Sequence, residues 1–314
     1  MASTKTVCLV LGSGSSRGWA HIGVIEALEE EDIPIDYIVG CSIGSYVAVI
    51  YAAGGIKSLK RFVLKMDGKK VFSYFDIVFP HSGLLDGTKK LKQLFSMHAD
   101  VTDFSELKIP VTMVATDLET GGKVVLKSGS LFDAMRATMS IPGLFAPARV
   151  KNRWLVDGGL VDPVPVGVAR AIEADVVIAV DLNSGLASPR KWKKKTSRDA
   201  RKLVSHRGYR NQLIQKLAEF YESAESGFRS KVQGLLDKDS STPDIIETVT
   251  TSIGIMQERI TRINLAVEPP DVLLQPRLGG LKMMDFDQVE RTIEEGYLAA
   301  KEKIRDVKKL LEPA

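Results

Sequence analysis

The sequence predicts an α/β protein of three layers, with helices on both faces of a mostly parallel central sheet. Three observations predict it. Short runs of β-branched and aliphatic residues recur along the chain, at 6–11, 36–40 and 176–181 among others. They are apolar without polar alternation, as strands buried on both faces are. Helical patterns stand between them, and 314 residues with 44% hydrophobic and 26% charged side chains supply one large core without disulfide or metal support.

Residues 6–11 (TVCLVL) read as the first strand. A Gly/Ser-rich turn leads into a helix over about 19–31, with apolar positions at Ile22, Ile25 and Leu28, stopped by Pro34. Residues 36–40 (DYIVG) read as the second strand, and the helix over 43–53 ends at Gly54-Gly55, a glycine C-cap signal. A strand over 111–116 pairs as a hairpin with 123–127 across Thr120-Gly121-Gly122. Residues 131–139 are helical, 154–156 form a short strand running into Asp157-Gly158-Gly159, and 176–181 form another buried strand. From 183 to 239 the pattern changes to a basic loop and a polar helix. A helix over about 243–264, a late strand at 271–274 and an amphipathic helix over 286–311 follow. The expected division is a catalytic core over 1–182, a basic and helical insertion over 183–265, and a late strand and helix over 266–314 that complete the core.

Composition narrows the class. Cys8 and Cys41 both lie in apolar runs, which points to a reducing compartment and no disulfide framework. The run at 7–11 is too short for a secretory signal, and 46–53 falls far short of the roughly 20 residues that cross a bilayer. The expectation is a soluble, cytoplasmic protein able to sit on the inner face of a membrane. The net charge of +4 conceals a segment, 188–216, with eleven Lys or Arg and one acid; its +10 leaves about −6 for the rest. This segment, centred on Arg190 to Arg210, has three readings: a solvated loop, a nucleic-acid contact, or a contact with anionic lipid. Beyond Trp192 and Tyr209 it has no aromatic platform and no recognition motif, so nucleic acid is not expected. Trp192 among lysines suits a membrane interface.

Gly40-Cys41-Ser42-Ile43-Gly44 fits G-x-S-x-G, with a strand running in and a helix running out. A nucleophilic serine needs this context: a sharp turn lifts its hydroxyl above the sheet edge, and small residues two positions either side avoid clashes. Alone, the five-residue pattern also arises by chance in tight strand–helix connections.

Gly12-Ser13-Gly14-Ser15-Ser16-Arg17-Gly18 follows the first strand. Its spacing is one residue longer than the dinucleotide-binding G-x-G-x-x-G, and the second strand ends in the elbow rather than in an acid. No G-K-[ST] follows, which excludes a P-loop. The remaining reading is an oxyanion hole, in which exposed backbone N–H groups stabilise a tetrahedral oxyanion. Arg17 has three readings: a brace for the loop, a phosphate contact, or a surface partner for a carboxylate.

No histidine is well placed as a base. His206 lies in the basic segment, His21 reads as a packed or exposed helix residue, and His81 and His98 sit in or beside loops. Asp157, ending a strand and followed by two glycines, could take a serine proton directly if close and partly desolvated. Asp-Gly-Gly is equally a plain turn.

Taken together, GSGSSRG running into Ala20-His21-Ile22-Gly23-Val24, then GCSIG, Ser140-Ile141-Pro142 and DGGLVDPVPV at 157–166 resemble the patatin-like phospholipase family in its compact bacterial branch. The resemblance covers about residues 5–182. It implies a patatin-like α/β/α sandwich and calcium-independent acyl-ester hydrolysis of lipids, with no metal and no cofactor. It also implies Ser42 as nucleophile, Asp157 as base, Gly12 to Gly18 as oxyanion loop, and Gly40 and Gly44 as elbow glycines. Two departures stand out. Ser13 occupies a position that is often glycine, and Asp162 one that is often Asn. The competing class is a low-turnover lipid-surface or regulatory binding module on the same fold, and acyl transfer to another acceptor is a further enzymatic option. The long helices after residue 207 could pair subunits in a homo-oligomer.

Overall fold

The computed structural model describes residues 5–65, 88–185 and 245–312. The basic segment therefore lies outside the described residues, as do His81 and His206. Contacts divide the chain into one unit made of Met1–Ser188 with Val249–Ala314, and a second made of Pro189–Thr248.

Among the described residues the sheet has eight strands. They are β1 (Val7–Leu11), β2 (Tyr37–Cys41), β3 (Val111–Asp117), β4 (Lys123–Leu126), β5 (Ala148–Val150), β6 (Arg153–Asp157), β7 (Val176–Val180) and β8 (Val272–Leu274). Five run parallel in the order β3-β2-β1-β7-β8. β1 is central and wholly buried, which accounts for its unbroken apolar sequence.

The faces of the sheet separate by residue parity. Val7, Leu9 and Leu11 point into one core, shared with α1 (Ala20–Glu30), α2 (Ile43–Ala52) and α8 (Val289–Leu311). Cys8 and Val10 point into a second core on the opposite face. There they meet Val166, Val168 and Ala169 of α6 (Val166–Arg170) and Leu265 of α7 (Ile245–Val267). Helix, sheet and helix thus form the three expected layers.

Apart from the polar helix expected before residue 239, which lies outside the described residues, the elements read from the sequence are present within a few residues of their expected ends. The first helix is preceded by a 3-10 turn at Ser15–Trp19. The last helix begins at Val289 rather than 286, because Phe286 lies in the preceding turn, buried edge-on against Trp19 with ring centroids 6.4 Å apart. The pattern reading missed α3 (Ile56–Leu64), α4 (Thr88–Ser96), α6 and β5, all short elements whose periodicity is hard to read. The hairpin partner of β3 is β4, with Thr116 opposite Lys123.

One feature of the sheet positions the site. β3 pairs with β4 over Met113–Thr116, and on its other edge two strands meet end to end. β2 takes register up to Cys41 opposite Val114, and β6, running antiparallel, begins with Asp157 opposite Ala115. Both residues 114 and 115 also pair with β4, so β2 and β6 must share the remaining edge. The C-terminal end of β2 and the C-terminal end of β6 therefore abut.

Candidate active site

Ser42 follows β2 directly and caps α2, with φ 55° and ψ −124°. A non-glycine residue there carries roughly 1–3 kcal/mol of strain, which neighbouring contacts hold in place. Its backbone N–H donates to Thr138 Oγ1 at 2.9 Å, and the Thr138 hydroxyl donates in turn to the Val114 carbonyl. The elbow is thus tied to β3 by a residue at the end of α5 (Leu131–Thr138).

The elbow glycines make room. A Cβ on Gly40 would stand 2.6 Å from Ser45 Cα, and one on Gly44 only 2.0 Å from the Leu11 carbonyl oxygen. On Gly158 it would stand 2.1 Å from the Val114 carbonyl oxygen.

The Ser42 hydroxyl donates to Asp157 Oδ2 at 2.5 Å, across 115 residues of chain. Asp157 Oδ1 accepts the Gly159 N–H at 2.7 Å, and its carbonyl accepts the Thr116 hydroxyl at 2.8 Å. Ser42 and Asp157 are 4% and 1% exposed. Burial pushes the Asp157 carboxyl from 3.8 up to about 6, against the lowering effect of the bonds from Ser42 and Gly159. A carboxylate so raised is more basic than an exposed one, and its partner hydroxyl is already aligned.

The 12–18 loop lies against the start of α2, directly after Ser42. A Cβ on Gly18 would stand 2.2 Å from Ile43 Cγ1, which places the loop beside the first turn of α2. Several loop N–H groups are already committed: Gly12 to Val180, Ser13 to Pro163, Ser16 to Met283 and Arg17 to Gly14. The Gly14 and Ser15 amides have no hydrogen-bond acceptor among the described residues, nor does that of Ile43, in the first turn of α2. These three can receive a developing oxyanion, aided by the positive end of the α2 dipole.

Arg17 is 1% exposed, which removes the surface reading. Its Nε donates to the Gly14 carbonyl at 3.1 Å and its Nη2 to Asn183 Oδ1 at 3.0 Å, so it braces the loop. Asn183 completes the brace by donating Nδ2 to the Ser13 carbonyl at 3.2 Å. Asp181, two residues earlier, accepts the Asn183 N–H, and burial raises its carboxyl. Asn183 was missed in the sequence. It sits just past the C-terminal end of β7, the sheet edge where site residues of parallel α/β folds gather, and that position was its only signal. Thr138 had none.

His21 is fully buried, and its Nε2–H donates to the Gly12 carbonyl at 2.8 Å, since a carbonyl can only accept. Burial pulls its imidazole down to about 4. It supports the loop from behind and holds no free lone pair toward Ser42 through that nitrogen. His98 is bonded to Ser58 and stacks edge-on against Phe62, away from the elbow. Asp162 is buried, accepting from Lys123 Nζ at 2.8 Å and from Asn264 Nδ2 at 3.2 Å. It therefore receives hydrogen bonds where an amide would also donate. Cys8 and Cys41 are free buried thiols, and burial pushes Cys8 up to about 12 and Cys41 well above its usual value.

Comparison with known proteins shows the family of the chain. Residues 9–170 match the family model described as Patatin-like phospholipase. The chain is 30% identical to an "Uncharacterized NTE family protein" of Mycobacterium tuberculosis (strain H37Rv) over 337 residues, covering 95% of this chain and 91% of that protein. It is 33% identical over 186 residues to human patatin-like phospholipase domain-containing protein 6, covering 57% of this chain and 14% of that protein. Lysophospholipase nte1 of Aspergillus fumigatus is 32% identical over 185 residues, with 57% and 12% covered. Among solved structures, VipD from Legionella pneumophila aligns over 98% of this chain and 67% of its own, with TM-score 0.47 and 14% identity.

Proposed function

The chain belongs to the patatin-like phospholipase family and is a lipid ester hydrolase, and we propose that it works through Ser42 and Asp157 in two steps. Ser42 Oγ attacks the carbonyl carbon of an acyl ester while Asp157 Oδ2 takes its proton. The oxyanion forms beside the amides of Gly14, Ser15 and Ile43. When the intermediate collapses, the C–O bond to the alcohol breaks, and the leaving alkoxide takes the proton back from Asp157. Water then attacks the acyl-serine, delivering its proton through Asp157, and the fatty acid leaves. One observation carries this reading: the bond of 2.5 Å between a strained, buried serine hydroxyl and a carboxylate whose affinity for protons burial has raised.

The substrate on this reading is a phospholipid, lysophospholipid or simpler lipid ester, and the reaction uses no cofactor. A fluorophosphonate probe should label one residue per chain, Ser42, stoichiometrically, as peptide mass spectrometry would show. A binding module on the same fold would stay unlabelled, and that result would refute the hydrolase mechanism. The basic stretch from Arg190 to Arg210 we read as an auxiliary contact for anionic membrane, within an insertion between the core and its closing strand and helix.

The pH dependence follows from Asp157. The base must be ionised, and its carboxyl lies at about 6. kcat/KM on a soluble short-chain ester should therefore be level above that pH and fall about tenfold per unit below it. A profile flat down to about pH 4.5 would mean that Asp157 is not the base.

A further inference from the structure

Helix α7 buries four polar side chains alongside Ile253 and the packed Leu265, and leaves four apolar ones exposed. Thr250, Gln257, Glu258 and Thr261 are buried, whereas Ile255, Met256, Ile263 and Val267 are 45%, 48%, 64% and 76% exposed. At about 100° per residue, Met256, Ile260, Ile263 and Val267 fall within an arc of about 60°. Arg259 borders this stripe, Arg262 lies further round the helix with its Nη2 3.6 Å from Glu258 Oε1, and the exposed arc between Arg262 and Ile260 carries no acidic residue.

The inner face lies on the site. A Cβ on Gly159 would stand 2.3 Å from Gln257 Nε2, and Gly159 is the residue whose N–H holds Asp157. Gln257 Oε1, Glu258 Oε2 and Thr261 Oγ1 are buried with no hydrogen-bond partner among the described residues. Buried polar atoms without partners are rare in a settled interior. Ser42, whose partner Asp157 is held by that Gly159 N–H, is only 4% exposed, which leaves little room for a bulky lipid ester to reach its hydroxyl.

We propose that the outer face of α7 docks on a lipid surface carrying anionic head groups, and that docking draws the helix away from Gly159, the residue that holds Asp157. The inference rests on the reading of the chain as a lipid hydrolase. The stripe hands its apolar area to acyl chains, Arg259 meets lipid phosphates, and Arg262 exchanges its Glu258 partner for another phosphate. The same movement supplies water or head-group partners to the three orphaned atoms, which offsets part of the loss of the Asn264 bonds to Asp162 and the Val161 carbonyl and of the Leu265 packing. A second copy of the chain fits less well. A stable dimer buries about 800 Å² on each partner, more than four partly exposed side chains offer, and self-pairing would bring the arginines together.

The test uses the full chain carrying Ser42→Ala, so that binding is read without turnover. Flotation with phosphatidylglycerol-containing vesicles should recover the protein, and pure phosphatidylcholine vesicles should recover less. Changing Met256, Ile263 and Val267 together to Ser should lower the bound fraction at least about tenfold. In the Ser42 protein the same change should lower hydrolysis of vesicular phospholipid by a similar factor while leaving hydrolysis of a soluble butyrate ester unchanged. A conservative set, Met256→Leu, Ile263→Leu and Val267→Ile, should retain binding and so separates docking from folding. Unchanged vesicle binding in the Ser variant would overturn the proposal. So would a joint fall of soluble-ester turnover and melting temperature, which would mean the stripe is covered within the chain. A shift from dimer to monomer with vesicle binding intact would assign the face to a second copy instead. Vesicle binding through the stripe in a chain that hydrolyses no ester would leave docking standing and remove the hydrolase reading alone.

Discussion

Ser42→Ala and Asp157→Asn should each reduce kcat/KM on acyl esters by about ten-thousand-fold, as removal of nucleophile or base does in serine hydrolases. The two variants should differ in stability, and the difference identifies the chemistry. Asp157 is 1% exposed, and burial raises its carboxyl from 3.8 to about 6. Below about pH 3.8 it is protonated in both folded and unfolded chains and costs nothing. As pH rises from there to about 6, the unfolded chain loses its proton first, and the folded state loses about 3 kcal/mol. An amide at 157 cannot ionise, yet its oxygen can still accept the Gly159 N–H. Asp157→Asn should therefore be at least as stable as the parent at pH 8, with the advantage vanishing as pH falls below 6. Urea titrations at two pH values, alongside initial rates, measure both effects. A variant that loses activity and stability together would show that Asp157 holds the structure rather than moves a proton.

Gly44→Ala should damage both the fold and the reaction. The added methyl carbon would meet the Leu11 carbonyl oxygen at 2.0 Å and the Gly12 carbonyl oxygen at 2.8 Å, both backbone atoms of β1 and the glycine loop. Neither can swing aside as a side chain would. The start of α2 must move, carrying Ser42 away from Asp157 and from the loop amides. Overpacking of this kind costs about 1–3 kcal/mol, and a misplacement of about 1 Å costs roughly 100-fold in rate. Thermal melts and kcat measure the two losses. Gly279→Ala is the control: a Cβ there meets nothing within 4 Å, so stability should stay within about 0.5 kcal/mol of the parent.

Much of the site was legible because its signals are local. The turn from β2 into α2 needs small residues at 40 and 44, and the loop after β1 needs residues whose amides stay open; both demands leave marks within seven residues. Asp157 was legible only as one end of a strand beside two glycines, a pattern that equally describes an ordinary turn. His21 was too ambiguous to place, because a buried imidazole and an exposed one look alike in a helix. Arg17 was left with three readings, and the choice among them depended on Asn183, 166 residues away.

By itself, then, the sequence determined the strand–turn–helix alternation, the strained corner at Ser42 and the small-residue loop, since each follows from the period and size of neighbouring side chains. Tertiary structure alone decided that β2 and β6 meet head to head along β3, which brings a hydroxyl and a carboxylate together from 115 residues apart. It also decided that Asn183 and Thr138 steady them and that α7 buries Gln257, Glu258 and Thr261. Strand order and helix orientation are settled by burial summed over the whole sheet, and no short stretch of chain records that sum.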